Sequence, residues 1–240
     1  MRRRLALIGA GVAALALGAC QAQSDQAFGE RVRAYLLAHP EVLAEASQRL
    51  QANEDAQAAA AMQKAEAKLP VLRAAIERDP RDFVANPNGR VTVTEFYDYR
   101  CPHCEAMAPR LLALIQANPD VRFVFKEMPI FGATSEHAAY AAIAVRKDGG
   151  DSLGLYRAFM TTQPLTDQAI DRIARADGAR PGDIAPNAAN TSQLAATNAL
   201  FNKLGLDGTP GFVVGDQILA GDDMAALNAA IDKARKSAAA

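Results

Sequence analysis

The chain contains no tryptophan, and aromatic residues make up only 6% of its 240 residues. That excludes a binding surface rich in aromatic side chains. Excess charge is also missing: 26 basic side chains stand against 27 acidic ones, for a formal net charge of −1. Nothing in that balance points to nucleic acid as a partner. The apolar run Leu5 to Leu17 is too short to be a comfortable membrane-spanning helix. Cysteine is scarce, with three in all, and there are three histidines. Cys101 and Cys104 form a Cys-x-x-Cys pair, but no second pair exists, and His39 and His137 are far away and isolated. A four-ligand zinc site within one chain is therefore not available, and no metal or other cofactor is expected.

What is present is concentrated in Cys101-Pro102-His103-Cys104. The residues before it, Val91 to Tyr99, begin as an alternating run of β-branched and aromatic side chains, which predicts a strand. The residues after it, from Glu105 through Ile115, predict a helix that starts at Cys101 and runs to about Ala117, kinked at Pro109. The two thiols thus fall on a strand-to-helix turn. A helix N-terminus carries unpaired N–H groups and the positive end of the macrodipole, and positive potential favours the reactive thiolate. Pro102 suits the first turn because its missing N–H would have no partner there. His103 adds a donor or, when protonated, a full positive charge. Cys101 is expected to be the exposed nucleophile, and Cys104 to resolve the resulting mixed disulfide. A purely structural bridge is the bland alternative, but a ring this small stabilises little.

Residues 1–20 read as an export leader. Arg2, Arg3 and Arg4 form a positive start, Leu5 to Leu17 an apolar centre, and Leu17-Gly18-Ala19-Cys20 is similar to a bacterial lipobox. Cys20 is then the lipidation site, and the mature protein is an anchored lipoprotein of the periplasm or cell envelope. Ordinary cleavage, for example after Ala22, is the other possibility. Residues 21–88 form a helical arm. Phe28, Val32, Leu36, Leu43, Ala46 and Leu50 recur at 3–4 spacing, broken near Pro40, and the stripe falters at Asn53 and Gln57. Asn86-Pro87-Asn88-Gly89 is turn chemistry and opens a second domain, 89–240.

In that domain a second strand, Val121 to Met128, follows the first helix, suggesting a parallel crossover. Lys126 stands either opposite Glu95 or in solvent. Residues 134–206 are helical throughout, in four segments, the first capped by Thr134 or Ser135. Gly208-Thr209-Pro210 opens another apolar strand, Gly215-Asp216 makes a hairpin turn, and Asp222 or Asp223 caps a last helix.

Asn86 to Cys104, "NPNGRVTVTEFYDYRCPHC", resembles the DsbA-like branch of the thioredoxin superfamily and, more narrowly, its ScsC-type members with an N-terminal helical segment. The resemblance implies an α/β chain: a thioredoxin fold with an inserted helical subdomain, about 134–206, behind the helical arm. It implies a buried acid at Glu95, six residues before Cys101. A desolvated carboxylate there could take the proton of the Cys104 thiol. It implies that Pro210 is a cis-proline packed against the disulfide and that Thr209 contacts substrate. It further implies thiol–disulfide exchange on unfolded or misfolded exported proteins that carry cysteines. The membrane redox partner would be DsbB-like or DsbD/ScsB-like, and a homo-oligomer would form through residues 28–60. Pro102 and His103 favour a disulfide oxidase, while Thr209 and the arm favour an isomerase. The reading from another class is a lipid-anchored module whose thiols bind copper(I) or folding clients without redox turnover.

Overall fold

The structure is a computed structural model that describes residues 26–180 and 182–238. The leader and Cys20 lie outside the described residues. The chain divides into two compact units, Met1–Ala59 and Ala60–Ala240.

In the first unit, residues 26–38 form α1, and α2 (Glu41–Glu66), whose residues from Ala60 on belong to the second unit, starts after a break at His39-Pro40. The break is where proline chemistry puts it, because the residue before a proline is steered out of the helical region. Phe28, Tyr35, Leu37, Leu43 and Leu50 are all more than half exposed, and Leu36 is half-buried.

The second unit is built on a five-stranded sheet of order β1-β3-β2-β4-β5. Its elements in chain order are α3 (Leu69–Glu77), β1 (Phe83–Ala85), β2 (Val91–Tyr97), α4 (Pro102–Ala117) and β3 (Val121–Glu127). The helices α5 (Ala133–Lys147), α6 (Ser152–Thr161), α7 (Asp167–Ala176) and α8 (Ala188–Lys203) follow. β4 (Gly211–Val214), β5 (Gln217–Ala220) and α9 (Met224–Ala238) complete it. β2 and β3 are parallel and joined by α4, as the strand–helix–strand pattern predicts; β1, β4 and β5 pair antiparallel. Strand β1 and the contribution of α3 are not legible in the pattern, since three residues are too few for an alternation to register.

Side chains alternate across β2, so its two faces feed two apolar clusters. Val91, Val93 and Tyr97 face a larger core with α4, α5, α6 and α9. Phe96 faces a smaller one with α3, α8, Val213 and Ile218. All seven β2 residues are buried. The helices between β3 and β4 therefore split: α5, α6 and α7 pack on one another, while α8 lies against β3 and α3.

Two expectations are corrected here. Lys126 is neither opposite Glu95 nor in solvent. Its register partner on β2 is Phe96, so it points to the other face, where it pairs with Asp82, both side chains 2% exposed. And α5 is capped neither by Thr134 nor by Ser135. Its N-cap is Gly132, at φ 86°, with no side-chain cap, and the Ser135 hydroxyl is buried without a partner. At the C-terminal helix the cap is Asp223, whose carboxylate accepts from the Ala225 and Ala226 N–H groups. Asp222 is left free for another contact.

Candidate active site

The dithiol sits where β2 ends and α4 begins. Cys101 is the N-cap of α4, in extended conformation, and Pro102 occupies the first turn. Buried Cys104, Met107, Ala108, Leu111, Leu112 and Ile115 recur at 3–4 spacing and hold α4 on the sheet, while Pro109 lies on its exposed side. Both cysteines are free thiols.

Cys101 is not an exposed nucleophile: the residue is only 2% exposed. Its thiol donates to the Thr209 carbonyl at 3.0 Å, 108 residues away in sequence. The Thr209-Pro210 bond is cis and opens β4, next to β2 in the sheet. That loop covers the sulfur, which no local pattern around Cys101 could reveal.

The Cys101 thiol ionises far below the usual range, at about 5. The largest cause is the Cys104 thiol, which donates to its sulfur; the Thr209 side chain, not its carbonyl, and the backbone N–H groups of Cys104 and His103 add to this, against the opposing effect of burial. Cys104 is displaced in the opposite sense, far above the usual range. Its proton is shared with Cys101, it is fully buried, and the charge of Glu95 lies near. The paired thiols thus have divided roles: the first ionises readily and the second keeps its proton.

Glu95 lies on the same face of β2 as Val93 and Tyr97, 2% exposed. Its cross-strand neighbours are Phe125 on β3 and Phe212 on β4. Burial pushes its carboxyl up to about 8, partly offset by the Tyr156 hydroxyl and reinforced by Cys101. A group with that ionisation is suited to accept a proton near neutral pH.

His103 is exposed, and its Nδ1 lies 3.2 Å from the Asp222 carboxylate. Asp222 follows Gly221, whose N–H donates to the Pro210 carbonyl at 2.9 Å. Asp98, to which sequence reasoning assigns no chemistry, organises the turn. Buried at 2% exposure, it accepts from the Arg100 N–H at 2.8 Å and from those of Ile130 and Phe131 at 2.7 and 3.0 Å. It ties the turn before Cys101 to the loop after β3, where Ile130 and Phe131 stand 43% and 47% exposed. Asp98→Asn retains an acceptor but loses the charge on these bonds, and should cost about 2 kcal/mol in urea denaturation. An unchanged midpoint would show that the loop does not rely on it. The only signal that could have found Asp98 is a carboxylate at a strand end, three residues before Cys101. Asp222 gives no sequence signal at all, being 119 residues from His103.

Among the described residues no group of three His, Cys, Asp or Glu side chains is placed to hold a metal ion.

A parallel β–α–β unit with an antiparallel hairpin beside it, a cis Thr-Pro bond whose carbonyl meets the first of two thiols at a helix start, and a buried acid on the strand before them define a thioredoxin-fold dithiol protein. The chain belongs to the DSBA-like thioredoxin domain family, which matches residues 92–232. Residues 25–57 match the copper resistance protein ScsC N-terminal domain. A thioredoxin-like oxidoreductase from Silicibacter pomeroyi is 38% identical, with a TM-score of 0.63, covering 68% of this chain and 98% of that one. A linker-deletion mutant of ScsC from Proteus mirabilis is 25% identical, with a TM-score of 0.68, covering 82% and 94%. The disulfide bond formation protein D of Bacillus subtilis is 28% identical over 144 residues, 54% of this chain. The match spans 65% of that curated relative's length.

Proposed function

We propose that this protein catalyses thiol–disulfide exchange on exported proteins in the bacterial cell envelope. The observation that carries the reading is the split between the two thiols: Cys101 ionises at about 5, while Cys104 holds its proton above the buried Glu95. The Cys101 thiolate attacks one sulfur of a client disulfide. A mixed disulfide forms and the other client sulfur leaves as a thiolate. Glu95 takes the Cys104 proton, Cys104 attacks the Cys101 sulfur, and the second client thiolate departs. Two electrons pass to the client and the Cys101–Cys104 disulfide forms. The reverse sequence donates a disulfide.

Pro102 and His103 act in the first turn of α4, where His103 and the helix end favour the reduced form and hence oxidising behaviour. Thr209 and Pro210 are the client-facing contact, their carbonyl and ring meeting the client strand once Cys101 releases the Thr209 carbonyl. Exposed Ile130 and Phe131 suit unfolded clients, which present apolar segments. A membrane redox partner, DsbB-like for an oxidase or DsbD/ScsB-like for an isomerase, resets the dithiol. Residues 1–20 serve as the export leader with Cys20 lipidated; the arm is shorter than the expected 21–88, because α3 and β1 pack with the sheet, so the catalytic domain takes in residues from Ala60 onward rather than from 89. Self-association through residues 28–60 is supported by the apolar side chains left uncovered on α1 and α2, and it favours the isomerase direction.

The test is refolding of a scrambled multi-disulfide protein by the reduced enzyme, with its solution mass measured alongside. Cys101→Ser should abolish exchange, and Cys104→Ser should accumulate client mixed disulfides through Cys101. Recovery no greater than with Cys101→Ser removes the isomerase direction. No trapped adduct with Cys104→Ser removes exchange altogether.

A further inference from the structure

We propose that Tyr156 is a positioning residue for the resolving step: from α6 it holds both carboxylate oxygens of Glu95 and so sets the pH at which Glu95 accepts the Cys104 proton. This rests on the reading of Glu95 as the proton acceptor and adds a residue to it.

The geometry is specific. The Tyr156 hydroxyl lies 3.3 Å from Oε1 and 3.3 Å from Oε2 of Glu95, 61 residues apart in sequence. Tyr156 is fully buried and Glu95 2% exposed. Among the described residues Tyr156 is the one hydrogen-bond partner of Glu95, and the phenol has no other. Every other surface around the carboxylate is of a different kind. Its strand neighbours are Phe125 and Phe212. α9 presents Leu227, Ala230 and Ile231 to this core. The titratable groups that act on it or feel its charge are Cys101 and Cys104 from α4, Tyr99 from beyond β2, and Tyr156 itself. No lysine or arginine is among them, so no cation shares the task.

The consequence follows from which form each neighbour prefers. Burial between two phenylalanines disfavours the carboxylate, and so does a Cys101 thiolate. A phenol that ionises only far above neutral pH remains a donor throughout the working range, and donation favours the carboxylate. Tyr156 is thus the one neighbour that pulls Glu95 towards the charged form needed to accept a proton. It also links the inserted helices to the reaction. α6 is fixed at its start by Asp151, whose side chain accepts from the Leu153 and Gly154 N–H groups, and it packs on α4. The helix that carries the phenol therefore rests on the helix that carries the thiols.

Tyr156→Phe keeps the ring and removes the donor. The reduced full-length protein is mixed with excess glutathione disulfide across the pH range, and the phase that does not depend on glutathione disulfide concentration is followed. In that phase Cys104 gives its proton to Glu95, bonds to the Cys101 sulfur and expels glutathione thiolate. With Tyr156→Phe the midpoint of its pH profile should move up by about one unit, and the rate at neutral pH should fall about 10-fold, recovering in alkali. With Glu95→Gln the phase should be slow, and adding Tyr156→Phe to Glu95→Gln should change nothing further. A midpoint that stays in place in Tyr156→Phe while Glu95→Gln is slow overturns the proposal and leaves the acid in its role. An equal fall at every pH also overturns it, as that is the mark of lost packing. A Glu95→Gln rate equal to wild type overturns the underlying reading of Glu95.

Discussion

Ultraviolet absorbance of the thiolate, followed against pH in the reduced protein, should show Cys101 half-ionised near pH 5, against 9 for an ordinary cysteine. At pH 5 this is about a 5,000-fold difference in thiolate fraction, and the rate of iodoacetamide modification should trace the same midpoint. The cause is local and can be removed. Cys104→Ala deletes the donor that contributes most to the displacement, so the midpoint should climb towards the ordinary value. The Thr209 and backbone contributions should keep it from arriving there. The same displacement acts on stability. In the unfolded chain the thiol ionises near 9 and in the folded chain near 5. A depressed ionisation contributes stability to the reduced protein that is complete above pH 9, shrinks as pH falls through this window, and is gone below 5. The oxidised protein has no such group. Denaturation of the two forms should therefore show the reduced form gaining on the oxidised one between pH 5 and 9. A midpoint near that of free cysteine would remove the basis for Cys101 as the attacking sulfur.

Glu95→Gln should make the protein more stable at neutral pH, by about 3 kcal/mol at pH 7. The sign runs opposite to that of a salt-bridged carboxylate. Glu95 ionises at about 8 when folded and at about 4.5 when unfolded. Below 4.5 both states hold the proton and the residue adds no pH dependence. Between 4.5 and 8 the unfolded chain has released a proton that the folded chain retains, so each unit of pH costs about 1.4 kcal/mol of stability. Glutamine has no proton to lose, and its variant should be free of this slope. Urea denaturation of the two proteins at pH 4 and pH 7 tests it: nearly equal stabilities at pH 4 and a clear gain for Glu95→Gln at pH 7. Equal stability at both would mean that the carboxylate is hydrated or paired in solution. A residue that weakens the fold and lies beneath the thiols is one whose presence the fold alone does not explain, and this is the thermodynamic side of its proposed role.

Much of this was legible in the residues. The 3–4 spacing of Cys104, Met107, Ala108, Leu111 and Ile115 specifies α4 and the face it buries. The alternation in Val91–Tyr97 specifies β2, and Gly215 specifies the hairpin. The CPHC spacing places both thiols on one helical turn. The N-terminal stripe is apolar in its larger residues, and of these Phe28, Val32, Leu43 and Leu50 are exposed while Leu36 is half-buried. The face of Lys126 is not legible in the sequence, because strand parity gives it only once the register with β2 is known. A one-residue difference in that register would have turned it towards Glu95. Thr134 and Ser135 are the favoured capping residue types, yet the chain reaches α5 through Gly132 at positive φ, so residue type alone does not place its cap.

The α/β thioredoxin core with its helical insertion was what the resemblance to the DsbA-like branch implied, while spacing and turn chemistry alone put two thiols on a strand-to-helix turn and a run of helices before a proline-led strand. Those features arise from contacts within a few turns of chain, where period and turn chemistry are decisive. Only the folded chain decided which distant groups meet the sulfur and the acid: Thr209 on Cys101, Asp222 on His103, Tyr156 on Glu95. Their separations of 108, 119 and 61 residues are closed by packing of whole elements against a shared sheet. No local periodicity carries the register of one packed element on another.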